Sequence, residues 1–193
     1  MPSPTGNKLL HAAIVATCLV GAVVTAPAAA ADEPPASGGA AFVPPPPPPE
    51  KAQLMNGRVI APASAPTRVK RVITAANRLV DKPYVYGGGH QPFVKGQLDR
   101  GYDCSGAVSY ALWGGRFLRS PLPSGAMMSW GQAGPGSWIT VYAHGGHAYM
   151  VVAGFRFDTS LRDPDAPGPG TGPRWSRTLR ESAAFVARHP AGY

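Results

Sequence analysis

Six consecutive prolines, Pro44 to Pro49, set the outer limit on what this 193-residue chain can fold into. Proline has no backbone N–H and a fixed φ, so such a run joins neither a helix interior nor a central strand and settles as an extended polyproline helix. The run lies within "DEPPASGGAAFVPPPPPPEKAQLMNGRVIAPASA", Asp32 to Ala65, which reads as a stiff spacer. Compact structure is then expected from Pro66 to Tyr193, about 125 residues and enough for one ordinary core.

Ahead of the spacer stands "MPSPTGNKLLHAAIVATCLVGAVVTAPAAAAD", with Lys8 as its cation, an apolar run from Leu9 to Val24 and small residues at its end. That order is the pattern of a cleavable export leader, residues 1–31, cut near Ala30 or Ala31. The apolar run is short for a membrane span. Cys18 lies inside it, and acylation there is disfavoured because Thr17 precedes it and the apolar run continues beyond. Of the two cysteines, cleavage leaves Cys104 alone, so no internal disulfide can form and the domain must rest on its core. The formal net charge of +8 favours polyanionic neighbours. For an exported protein these are anionic cell-wall polymers or membrane surfaces. The basic residues are scattered without interleaved aromatics, so nucleic acid is not expected as a partner.

Within the domain, "TRVKRVITAANRLVDKPY" places Val69, Val72, Ile73, Ala76, Leu79 and Val80 at spacings of three and four. This predicts an amphipathic helix, with Thr67 as a candidate cap and Pro83 as its limit. "PYVYGGGHQPFVKGQLDRGY" reads as a loop opened by three glycines. Asp103 is a good N-cap, and Ala107, Val108, Ala111 and Leu112 follow on one stripe, so a second helix is expected to start at Cys104 and end at Gly114 and Gly115. A Gly- and Pro-rich crossing from Arg116 to Gly136 leads into "SWITVYAHGGHAYMVVAGFRFDTS", whose alternation predicts strands turning at Gly145 and Gly146. Coil from Leu161 to Arg174, then a short helix and a strand in "RTLRESAAFVARHP", complete the expectation. Helices first and strands later give an α+β class, with N-terminal helices packed on an antiparallel sheet.

A lone thiol has two readings: a buried space-filling residue, or a nucleophile. The start of a helix favours the second, because partial positive charge and free N–H groups lower a thiol pKa there. Asp103 opposes it by placing a carboxylate next door. A base is then required, and His90, His144, His147 and His189 are the candidates. His147 is preferred because it opens a strand and shares a face with Tyr149 and Val151. "HGGH" could also pair two imidazoles on zinc, but no further ligands complete a set, so no metal is expected. Asp158, on the next predicted strand, could face His147 and orient its ring, with Thr159 and Ser160 as weaker candidates.

In order along the chain, "KPYVYGGG", "YDCSGAVSYAL" and "GGHAYMVVAG" resemble the three signature segments of the NlpC/P60 family of cell-wall cysteine peptidases. The match runs from about Val69 to Ser160. It implies a papain-like α+β fold over residues 66–193 and a secreted thiol protease that hydrolyses peptidoglycan stem peptides, most often at the bond joining D-glutamate to the diamino acid. By position, it implies Cys104 as nucleophile, His147 as general base and Asp158 as the polar third residue. Tyr84 matches a tyrosine close to the nucleophile, and Asp103 and Ser105 match positions that bind the amino end of the stem. No cofactor is implied, peptidoglycan is the expected partner, and a monomer is expected. The chain departs from the family pattern in a long stretch between Gly89 and Tyr102 and in "GPGSWITVYA", which replaces the usual Gly-Asp turn before the histidine strand. An amidase or acyltransferase of the same fold, or a wall-binding domain without activity, are the alternative functions.

Overall fold

Helix α1, Thr67–Asn77, forms where the apolar spacing predicts it, and Val69, Val72, Ile73 and Ala76 are all buried. Thr67 is its first residue and not its cap: Pro66 holds the cap position, and no side chain bonds to the free N–H groups. The structure is a computed structural model that describes residues 51–160 and 172–193. The expected leader, the proline run and the coil at 161–171 lie outside those residues.

Helix α2, Cys104–Gly114, starts at the cysteine, with Asp103 at the N-cap accepting from Gly106 N. All nine residues from Cys104 to Leu112 are buried, because α2 lies between α1 and the sheet. The two helices meet closely: a Cβ on Gly114 would stand 2.3 Å from Ala75 Cβ. Where only an irregular crossing was expected, a short helix α3, Ser124–Met127, and a two-residue strand β3, Gln132–Ala133, interrupt it.

Strands β4 (Ile139–His144), β5 (His147–Val152), β6 (Phe155–Asp158) and β7 (Arg174–Ser176) form an antiparallel meander. The last strand, β8 (Val186–His189), returns beside β4 and carries β3 on its far edge, giving the order β3-β8-β4-β5-β6-β7. Alternation sorts the two faces. Ile139, Val141, Ala143, Ala148, Met150, Val152, Phe157 and Trp175 join Val69, Val72, Val108 and Leu112 in one buried cluster. Side chains of the opposite parity, His147, Tyr149 and Asp158 among them, are left to the other side and the sheet's end. The layering is the α+β arrangement expected, helices on one face of an antiparallel sheet.

Two expectations are corrected. Residues 53–60, read as spacer, form a hairpin of β1 (Gln53–Met55) and β2 (Arg58–Ile60). Its two turn residues, Asn56 and Gly57, both have positive φ (50° and 73°), as a two-residue hairpin turn requires. Val59 is buried, and its backbone makes both possible bonds to Asn77: Val59 N donates to Oδ1 (3.0 Å) and Nδ2 donates to Val59 O (2.8 Å). Trp175 Nε1 donates to the same Oδ1 at 2.8 Å, so one amide ties hairpin, helix and sheet together. Replacing it would strand three polar groups. Asn77→Ala is therefore expected to cost about 2–3 kcal/mol in urea unfolding.

The second correction concerns the expected final helix. Residues 177–185 form neither helix nor strand. Arg177 donates to Leu54 O of the hairpin, while Arg180 and Phe185 turn onto the sheet face that carries Tyr149 and Asp158. These long-range contacts outweigh the local helix propensity of "RTLRESAAF".

Candidate active site

The thiol's position follows from how the chain enters α2. Asp103 is extended (φ −86°, ψ −177°), and its Oδ1 accepts from Gly106 N at 2.7 Å, which fixes the helix start one residue before Cys104. The glycine loop is bound to the same corner. Asp103 N donates to Gly88 O (3.1 Å), Gly87 N donates to Asp103 Oδ2 (3.1 Å), and Val85 N donates to Tyr102 O (3.2 Å). A Cβ on Gly106 would lie 2.1 Å from Gly88 O, so the loop rests on the helix where only glycine leaves room.

His147 is the first residue of β5, and the β4–β5 hairpin brings it to the start of α2. Its turn is braced from the side, where Ser124 Oγ of α3 donates to Gly145 O at 3.3 Å. His147 Nε2 lies 2.9 Å from Asp158 Oδ1 across the β5–β6 pair. That contact leaves Nδ1 as the ring nitrogen available to the Cys104 thiol, whose pKa the imidazole and the backbone of Ala148 both lower.

Electrostatics couple the three groups. Burial would raise the Cys104 thiol pKa, but the hydrogen bond from His147, the Ala148 backbone and the charge on His147 hold it below the ordinary thiol value, against the opposing charge of Asp103. Burial alone would lower the His147 pKa. Hydrogen bonds to Asp158 and Cys104, with the charges on both, hold it up at about 9. Burial works against the ionised Asp158 too, and is outweighed by His147, by Ser160 N donating at 2.8 Å and by Arg156, so its carboxyl stays below the usual range. At neutral pH these directions favour a thiolate beside an imidazolium.

Around the other side of the helix start, Ser105 Oγ donates to Asp103 Oδ1 (3.1 Å), and His90 Nε2 lies 3.0 Å from that oxygen and 3.2 Å from Ser105 Oγ. Tyr84 is exposed, its backbone is bridged to Tyr102 just ahead of the helix start, and its hydroxyl pKa is raised by burial and by the charges of Cys104 and Asp103. The six residues singled out from the sequence thus converge at one helix terminus. Cys104, His147 and Asp158 form one line, and Tyr84, Asp103 and Ser105 flank it.

Of the remaining histidines, His144 pairs across the hairpin with His147, 6.3 Å between ring centroids, lies tilted against Phe185 (4.5 Å between centroids), and its Nδ1 accepts from Gly146 N. His189 Nδ1 bonds to Gly134 O near the sheet edge. Thr159 is buried, and Ser160 contributes only its backbone N–H. Among the described residues no group of three or more His, Cys, Asp or Glu side chains is arranged to hold a metal ion. Three contributors were not anticipated: His90 as a partner of Asp103 and Ser105, and Arg180 and Phe185 beside Asp158 and His147. No local pattern marks them, since each acts across a long sequence separation.

No protein-family model matches the chain, and no curated protein matches it. Solved structures do, over 63% of this chain. A variant of the resuscitation promoting factor interacting protein RipA aligns at 22% identity with a TM-score of 0.44, and the peptidoglycan hydrolase RipB from Mycobacterium tuberculosis at 25% with 0.43. The P60 domain of an antigen from M. avium subspecies paratuberculosis aligns at 23% with 0.44. The alignment covers 93% of the P60 domain but only 61% of the RipA chain and 64% of the RipB chain.

Proposed function

We propose that this chain is a secreted cysteine endopeptidase acting at the cell wall, where it hydrolyses peptide bonds in peptidoglycan stem peptides. The bond joining D-glutamate to the diamino acid is its first candidate. One observation carries the proposal: a thiol at a helix N-terminus, its pKa held down by an imidazole whose Nε2 is 2.9 Å from a buried carboxylate. In such an arrangement the Cys104 thiolate adds to the scissile carbonyl carbon, and the developing oxyanion is favoured by the positive end of the α2 dipole. His147 gives its proton to the departing amine as the C–N bond breaks, leaving a thioester on Cys104. It then takes a proton from the water that attacks the thioester, and the acid product leaves with the thiolate restored. Asp158 holds the ring orientation and the imidazolium through both steps.

Tyr84 is assigned to the substrate close to the nucleophile, and Asp103 and Ser105 to the amino end of the stem. An ammonium there would neutralise the Asp103 charge that works against the Cys104 thiolate, so substrate binding and nucleophile ionisation support each other. The leader-like residues 1–31 and the net charge of +8 support export and retention near anionic polymers. Muropeptides incubated with the full chain and read by mass test the assignment. New free amino groups within the stem are expected; release of the whole stem from the sugar would mean an amidase. No cleavage across free and sugar-linked stems of differing diamino acids would mean a binding domain.

A further inference from the structure

Asp158 has two oxygens with different duties. Oδ1 takes His147 Nε2 (2.9 Å) and Ser160 N (2.8 Å). Oδ2 takes Arg180 Nη1 at 3.2 Å, with Arg156 Nε at 3.6 Å. Arg156 sits two residues back on the same strand, as part of the sheet. Arg180 comes from the irregular segment 177–185, and two aromatic rings hold it in place: its guanidinium carbon is 5.3 Å from the Tyr149 ring centroid and 5.0 Å from that of Phe185. Phe185 in turn meets His147 edge-on, with centroids 6.2 Å apart. One segment thus touches the carboxylate and the imidazole together.

From this geometry we propose that Arg180 is a positioning residue, which braces the Oδ2 edge of Asp158 so that Oδ1 stays aimed at His147 and whose charge tempers the carboxylate's hold on the imidazolium proton. It rests on the peptidase assignment for its catalytic meaning, but the coupling exists whether or not a stem peptide is cleaved. Among the described residues, these charged and titratable groups surround the pair. Toward His147 stand Cys104 on α2, Asp158 on β6 and, at 6.3 and 6.4 Å between rings, His144 on β4 and Tyr149 on β5; Asp103 acts on the thiol. Toward Asp158 stand His147, Arg156 and Arg180, with Arg174 across from it in the β6–β7 register. A cation beside Asp158 repels a proton on His147. Taking that cation away therefore raises the His147 pKa, and leaves the carboxylate free to rotate.

The test is an NMR titration of the full chain labelled with ¹⁵N-histidine, comparing wild type, Arg180→Gln and Arg180→Lys. The glutamine variant is expected to titrate His147 about half a unit to one unit higher than wild type, and the lysine variant close to wild type. Asp158→Asn should move the midpoint the other way. On muropeptides Arg180→Gln should lower kcat about tenfold with KM little changed, because Arg180 does not touch the Tyr84, Asp103 and Ser105 side. If Arg180→Gln does not fold, Arg180→Met provides a second neutral side chain of similar length. Identical His147 midpoints in wild type and a folded neutral variant would overturn the proposal. A shifted midpoint in a protein that cleaves no muropeptide would instead uphold the coupling and reject the peptidase assignment.

Discussion

Gly106→Ala is expected to destabilise the protein by about 3 kcal/mol and to remove most of the thiol's reactivity, although alanine is the better helix former. The added methyl would stand 2.1 Å from Gly88 O and 3.0 Å from Gly89 Cα. Neither neighbour can retreat cheaply. Gly88 O accepts from Asp103 N, which fixes the cap, and Gly89 is held by its own N–H donating to Asp99 Oδ2 at 2.9 Å and by a φ of +84°. Either the loop lifts and loses those bonds, or the first turn of α2 shifts and carries Cys104 away from His147. Urea unfolding with a parallel thiol assay reads both effects. Wild-type stability in Gly106→Ala would show that the loop is not seated as described.

Cys104→Ala is expected to leave the fold intact and to reduce stem-peptide cleavage by at least about a thousandfold. The side chain sits at the first residue of α2, outside the cluster formed by Val69, Val108, Met150 and their neighbours, so losing one sulfur should change stability by under about 1 kcal/mol. Activity has no such tolerance, because the thioester route needs the sulfur and no other described nucleophile lies beside His147. Unfolding curves of the two proteins should nearly coincide while muropeptide digestion separates them. Residual cleavage near the wild-type rate would transfer the chemistry to another group.

The parts of the site that could be read from the sequence are those written in local pattern. Asp103 before an apolar stripe announces a helix start, and "HGGH" between alternating runs announces a hairpin, so Cys104 and His147 could be set at element termini before any coordinates. Asp158 is legible only as a candidate on the next strand, beside Thr159 and Ser160. The glycine of "DCSG" could not be explained this way, since its reason is a loop eighteen residues earlier. Asn-Gly at 56–57 is a hairpin signal, yet the flanking prolines gave that stretch the character of a linker. Its burial depends on Asn77 and Trp175, which no local window contains. Arg180 and Phe185 fell in a segment with helix propensity. Attraction to Asp158, Tyr149 and His147 draws them out of it, a tertiary preference invisible in residue order.

The central claim is that Cys104 is ionised by His147, and the rate of its alkylation against pH tests this most directly. Wild type should show an inflection below about 8.5, the value of a free thiol. In His147→Ala the burial of the thiol and the charge of Asp103 remain and raise its pKa, while of the groups that lower it only the Ala148 backbone is left. The inflection should therefore move above the wild type's. A wild-type curve at or above 8.5, unchanged by His147→Ala, would contradict the account and make Cys104 a buried structural residue.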